Sequence, residues 1–166
     1  MKKNLLFLLM AVFALSFTAC SDDDDDDTLA KSVEGTYAGD LNVNVGGTDT
    51  EIKNKEIGLK ATGDNTITLS LKDFTFMNMN VGDIVIPNVI VSEEKDPKAG
   101  VFYGLKGSAK ITLKILTLDM EVTVTIDKEG SYILGKKIGL VLTIDGAKLP
   151  TGQEIPVSVD FEGVKK

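Results

Sequence analysis

Cys20 is the single thiol in a chain of 166 residues, and its position restricts what it can do. One cysteine closes no intramolecular disulfide. Six consecutive aspartates, Asp22 to Asp27, follow one residue after it, which is no setting for a buried structural thiol. The other reactive types are scarce. There is no His, all 18 basic residues are Lys, and the formal net charge is −7. Without imidazole, the commonest general base and zinc ligand is missing, and without guanidinium there is no planar fork for phosphate. Ser and Thr could be activated only by Lys, Asp or Glu, and the chain contains no nucleophile elbow, Ser-x-x-Lys, P-loop or dinucleotide fingerprint. Asp119 and Glu121 stand two apart in an alternating stretch, so they share a face, but Thr123 and Thr125 continue that row as a solvated outer surface. An EF-hand count from Asp23 places Glu34 at the twelfth position, yet Thr28 stands where the loop needs Gly. The expectation is a protein with no catalytic residues, no metal site and no cofactor. The acidic balance also argues against nucleic acid, which needs a basic face.

The chemistry left to Cys20 is set by what precedes it. Met1-Lys2-Lys3 is positive, Leu5 to Leu15 is an unbroken apolar run, and Ser16-Phe17-Thr18-Ala19 leads to the cysteine. Eleven apolar residues suit the core of an export leader and fall short of the roughly 20 that span a bilayer. Small residues closing a leader just before a lone Cys resemble the lipobox of bacterial lipoproteins, with Phe17 in place of the usual Leu. That resemblance implies cleavage before Cys20 and acyl chains on its sulfur and amine. Each buried methylene contributes about 0.8 kcal/mol, so two or more chains anchor stably without a transmembrane helix.

The aspartates form a second signal. Six like charges repel one another, stay extended and do not pack. Removing the leader leaves −9, but residues 28–166 alone carry only −3, so most of the acidity is tail. Ser21 with Asp22, Asp23, Asp24, Asp25, Asp26 and Asp27, directly after the cysteine, resembles the export signal of surface lipoproteins in certain Gram-negative anaerobes. The implied location is the outer membrane, lipid-anchored and facing outward.

From Val33 onward the period-two pattern is persistent. Tyr37, Gly39, Leu41, Val43 and Val45 alternate with polar or small residues, and Gly46-Gly47 makes a tight turn. Ile52 is in one phase while Ile57 and Leu59 are in the other, which predicts a bulge near Asn54. Gly63-Asp64-Asn65 turns the chain into Ile67, Leu69 and Leu71. In Ile84 to Val91, Pro87-Asn88 predicts an edge, a bulge or a bend. Further alternation predicts one strand each over 103–113, 118–126, near 131–144 and 155–161. About eight strands joined by short turns must be antiparallel, and runs of nine to eleven residues suit tilted barrel strands better than a sandwich. The fold class expected is all-β, an up-and-down barrel, with no amphipathic helix after the leader. Three segments follow: a leader over 1–19, a lipidated and acidic disordered tether over 20–32, and a barrel over 33–166.

Gly35-Thr36-Tyr37-Ala38-Gly39, Leu69-Ser70-Leu71-Lys72-Asp73-Phe74 and Gly82-Asp83-Ile84-Val85-Ile86-Pro87-Asn88-Val89 resemble the calycin-like β-barrel lipoproteins. The wider calycin group opens its barrel with Gly-x-Trp capped by an Arg. Tyr37 stands in the Trp place here and no Arg is available, so the resemblance implies the lipocalin-like fold, and inheritance of a lipocalin ligand does not follow from it.

One stretch departs from strand-and-turn composition. Phe74-Thr75-Phe76-Met77-Asn78-Met79-Asn80 puts apolar bulk where a connection is normally polar. Met is pliable and suits varied apolar shapes. The reading is a monomeric domain that binds a small apolar ligand at the barrel mouth or interior through Phe74, Phe76, Met77, Met79, Tyr37 and Tyr103. The alternative is a barrel filled by its own side chains that serves as a surface structural or interaction module for a protein or glycan. Seven aromatics in the mature chain, none of them Trp, make a sugar platform the weaker choice.

Overall fold

Alternation becomes nine β-segments and one short helix in a computed structural model that describes residues 28–166 except 77–78, 116–117 and 149–150. The elements are α1 (Leu29–Val33), β1 (Gly35–Val45), β2 (Thr48–Ala61), β3 (Thr66–Phe76), β4 (Met79–Asp96), β5 (Gly100–Ile115), β6 (Leu118–Ile126), β7 (Tyr132–Leu134), β8 (Lys137–Asp145) and β9 (Val157–Lys165). Each strand pairs antiparallel with its neighbours, and β1 pairs with β9, so the sheet closes on itself. The short β7 lies between β5 and β8 along the line of β6. The barrel is therefore eight-stranded and up-and-down, as the alternation predicts, with its sixth strand broken into β6 and β7.

That break corrects one expectation. Residues 131–144 are two strands, because Gly135 takes a positive φ of 59° and turns the chain at Lys136. Ser131 holds the break in place. Its buried hydroxyl donates to the Val141 carbonyl at 3.2 Å and accepts from the Val141 amide at 3.0 Å, standing in for a ladder partner.

A second correction concerns the tether. Disorder is expected through Ser32, but Leu29–Val33 is helical, with the Thr28 hydroxyl accepting from the Lys31 amide at 3.3 Å. Five residues do not hold a helix alone in water. Burial holds this one: Ala30 and Val33 are fully covered, and the Ala30 amide donates to the Asp64 carbonyl at 3.0 Å. The helix seals one end of the barrel. Cys20 and Ser21 to Asp27 lie outside the described residues.

The bulge predicted near Asn54 is present. Asn54 has a positive φ of 58°, and its amide donates to the Asp40 carboxylate across the pair at 2.9 Å. The same lock recurs at Asp73, φ 49°, whose amide donates to Asp83 at 2.9 Å. A third bulge follows Pro87 at Asn88, φ 56°, and shifts the buried set from Ile86 to Val89 and Val91.

Three neighbouring ladders stop well short of the strand ends. β2 and β3 pair only over 57–61 with 67–71, and β4 and β5 only over 90–96 with 100–106. β6 and β8 pair only over 123–126 with 142–145. Away from α1, the β3–β4 and β5–β6 hairpins thus leave the wall as two arms, each paired internally to its end. The barrel has a sealed end and a split mouth.

Candidate functional site

The inward-facing side chains are apolar along every strand, but their exposure is graded. At the sealed end Tyr37, Ile67, Val89, Val91 and Leu105 are 0–1% exposed, and α1 lies among β2, β3 and β4. Phe161, Leu41, Ile86 and Leu140 continue this packed body at 1%. A water-sized void would leave surface on the side chains around it, so this half of the barrel is solid. Toward the mouth the inward positions become half-buried: Val45, Ile52, Ala109, Ile111, Leu113, Met120, Ile144, Val157 and Val159. They still touch the core, but water reaches them from the open end.

The residues expected to meet a ligand do not all sit together. Phe74 is buried at the base of the β3–β4 arm, opposite Gly82, with Val81 covered nearby. Phe76 and Met79 pair across the end of that arm, so the backbone places them at the mouth. Met77 lies outside the described residues. Tyr37 and Tyr103 are at the other end. Tyr103 is half-buried beside β7, opposite Ile133. Tyr37 is fully covered, and its hydroxyl donates to the Val33 carbonyl at 2.8 Å, tying β1 to α1. It works as part of the seal.

Burial pushes the Tyr37 phenol from 10.0 up to about 12. A folded-state pKa above the unfolded one contributes stability below the unfolded pKa and loses it as pH rises through the folded one. The protein is expected to lose stability between about pH 10 and pH 12, and Tyr37→Phe is expected to remove that component. Urea titrations of both proteins at pH 9 and pH 11.5 check this. Equal pH dependence in the two would show that the phenol ionises freely in the fold.

Sequence reasoning missed the second arm. Ile111, Leu113 and Met120 face the mouth from the β5–β6 hairpin, with Leu113 opposite Met120 and Ile111 opposite Val122. A signal was available, since Ile115-Leu116-Thr117-Leu118 joins two strands without Gly, Asn or Asp, the same anomaly that marks Phe74 to Met79.

Charged groups stay on the outer wall. Asp119 and Glu121 are exposed, as the alternation predicts, and Glu121 borders an open groove of about 210 Å³ with Lys110, Thr123 and Asp145. No group of three or more His, Cys, Asp or Glu stands together to hold a metal among the described residues. The perturbed carboxylates lie near the sealed end. Lys128 at 2.7 Å, with help from the Ser92 hydroxyl, holds Glu94 below its ordinary value, and the amides of Ala99 and Lys98 do the same for Asp96. Both are structural partners of turns and neighbouring strands, far from the mouth.

A family model described as "Calycin-like beta-barrel domain" matches residues 33–164. No curated protein matches the chain. Among solved structures, one from Bacteroides fragilis described as "a putative outer membrane protein" superposes with a TM-score of 0.59 at 23% identity. The match covers 82% of this chain and 52% of that one, so the chain spans about half the length of that protein. The likeness is one of fold.

Proposed function

Because the chain belongs to the calycin-like β-barrel domain family, we propose that it is a non-enzymatic binding protein, lipid-anchored at Cys20 in the outer membrane and displayed outward. The ligand is small and apolar, and the split mouth takes it. The observation that carries this reading is the graded exposure inside one continuous apolar surface, sealed beneath α1 and open to water at Ile111, Leu113 and Met120. A barrel that needed only to be stable would bury both ends. The wet apolar rim is the sort of concave, pre-formed surface that binds small molecules.

The anchor fits the same picture. Thr28 begins at the sealed end, where α1 docks, so a tether running back to Cys20 leaves from that end. The mouth then points away from the membrane. Seven residues, Ser21 to Asp27, separate Cys20 from Thr28. The fold neighbour's description as an outer membrane protein agrees with this location.

Leu113→Ser with Met120→Ser tests the mouth. These cross-strand partners are half-exposed, so the pair is expected to cost less than about 2 kcal/mol of stability. Binding of an environment-sensitive apolar dye is expected to weaken at least tenfold. Unchanged dye binding would remove the mouth as the site. The solid packing of the sealed half favours a second reading, a filled barrel that acts as a surface interaction module. A wild-type protein that binds no dye and co-purifies with no small molecule in native mass spectrometry would favour that one.

A further inference from the structure

A closed barrel has no free strand edges, but this one exposes them where its arms leave the wall, that of β5 among them. The β4–β5 ladder ends at Ile90 opposite Lys106. Val89 and Gly107 still touch there, since a Cβ on Gly107 would lie 3.2 Å from the Val89 Cα. Beyond them Pro87 has no amide hydrogen and the Asn88 bulge turns β4 aside. From Ser108 to Lys114, β5 pairs with β6 on one side and with nothing on the other among the described residues.

The direction of its free groups follows from the ladder. Leu105 donates its amide to the Ser131 carbonyl on the β6–β7 side, so odd-numbered residues of β5 point their backbone groups that way. The amides and carbonyls of Ser108, Lys110, Thr112 and Lys114 therefore face the opening toward β4. Their side chains are exposed on the outer face, while Ala109, Ile111 and Leu113 face the wet mouth. Lys110 and Lys114 stand beside this unpaired backbone, with Lys106 at the last paired position, and none of the three forms an ion pair among the described residues.

We propose that the β5 edge is a strand-addition site for an extended partner segment with acidic residues at alternate positions and apolar residues between them. Added antiparallel to β5, such a segment satisfies the free backbone groups, sets its carboxylates beside Lys110 and Lys114, and drops its apolar side chains next to Ile111 and Leu113. The charge row argues against a second copy using the same edge, because two β5 edges would bring lysine against lysine. This surface is distinct from the apolar-ligand reading, although it borders the same mouth.

The test uses the mature chain from Cys20 in detergent and a fluorescent nine-residue peptide alternating Glu and Val, with a Lys and Val counterpart as control. Thr112→Pro removes one amide that faces the opening and leaves the β6 ladder intact, a tolerated substitution on an edge. The acidic peptide is expected to bind, to lose at least tenfold on Thr112→Pro, and to slow exchange at the amides of Ser108, Lys110, Thr112 and Lys114. Lys110→Glu with Lys114→Glu is expected to reverse the preference to the basic peptide. Apolar-dye binding should be unchanged by Thr112→Pro, which keeps the two readings separable. No binding of the acidic peptide, equal binding of both peptides, or equal binding to the Thr112→Pro protein would overturn the proposal. So would a dimer that Thr112→Pro dissociates, which assigns the edge to a second copy. Binding seen only after Asp22–Asp27 are replaced by Ala would assign it to the chain's own tail.

Discussion

Cys20→Ser is expected to leave an uncleaved, unacylated precursor that radiolabelled fatty acid does not mark. The reason is chemical. A thioether-linked lipid needs the thiolate nucleophile, and a hydroxyl with a far higher pKa does not replace it at neutral pH. No other thiol exists in the chain to take the acyl group. The energetic consequence is large, since two or three chains at about 0.8 kcal/mol per buried methylene make the difference between stable anchoring and none. No helix among the described residues is long and apolar enough to cross a membrane in its place. Labelling that persists in the Cys20→Ser protein would refute the assignment. In the same experiment, Asp22–Asp27 replaced by Ala should keep the label yet escape protease shaving of whole cells. Equal shaving of both proteins would reduce the acidic run to a spacer.

Gly39→Ala is expected to cost about 3 kcal/mol or more, although it adds a single methyl group. Gly39 pairs with Gly163 on the seam between β1 and β9 that closes the barrel. A Cβ at Gly39 would fall on the Glu162 carbonyl oxygen, and its next neighbour is the Gly163 Cα, so the obstacle is backbone rather than the movable end of a side chain. The Phe161 ring already fills the space over Gly163, within 2.7 Å of where a side chain there would begin. Relief requires β1 and β9 to part. Against a total stability of about 5–15 kcal/mol, this is a severe loss. Gly46→Ala is the comparison, because Gly46 has a positive φ of 58° but open space around it, and strain alone costs about 1–2 kcal/mol. Urea unfolding of both variants decides the matter. A Gly39→Ala cost no larger than that of Gly46→Ala would mean that the seam adapts.

Side-chain period was legible without coordinates. The proposed roles of the leader, the lone thiol and the six aspartates rest on neighbours in the chain alone, so the fold does not bear on them. Alternation reports which face of a strand is apolar, and it therefore predicted the closed antiparallel barrel and the bulge at Asn54. It could not report depth. Tyr37 and Phe74 look alike as inward aromatics, yet one lies under α1 and the other at the base of a mouth arm, because depth depends on where the strands stop pairing and what covers the ends. The helix Leu29–Val33 was invisible for a related reason, since five residues carry no periodic signal and are held by contacts with β2, β3 and β4. The turn at Gly135 was hidden because Tyr132 and Leu134 stand in the phase of Ile138, Leu140 and Leu142, although the fold buries Ile133 in their place. The splitting of the mouth, which exposes Ile111, Leu113 and Met120 and frees the β5 edge, depends on where the β2–β3, β4–β5 and β6–β8 ladders stop, with bulges at Asn54, Asp73 and Asn88 in the β1–β2 and β3–β4 pairs. Each bulge is a local event, but where neighbouring ladders stop is set between strands, and that is a property of the tertiary structure alone.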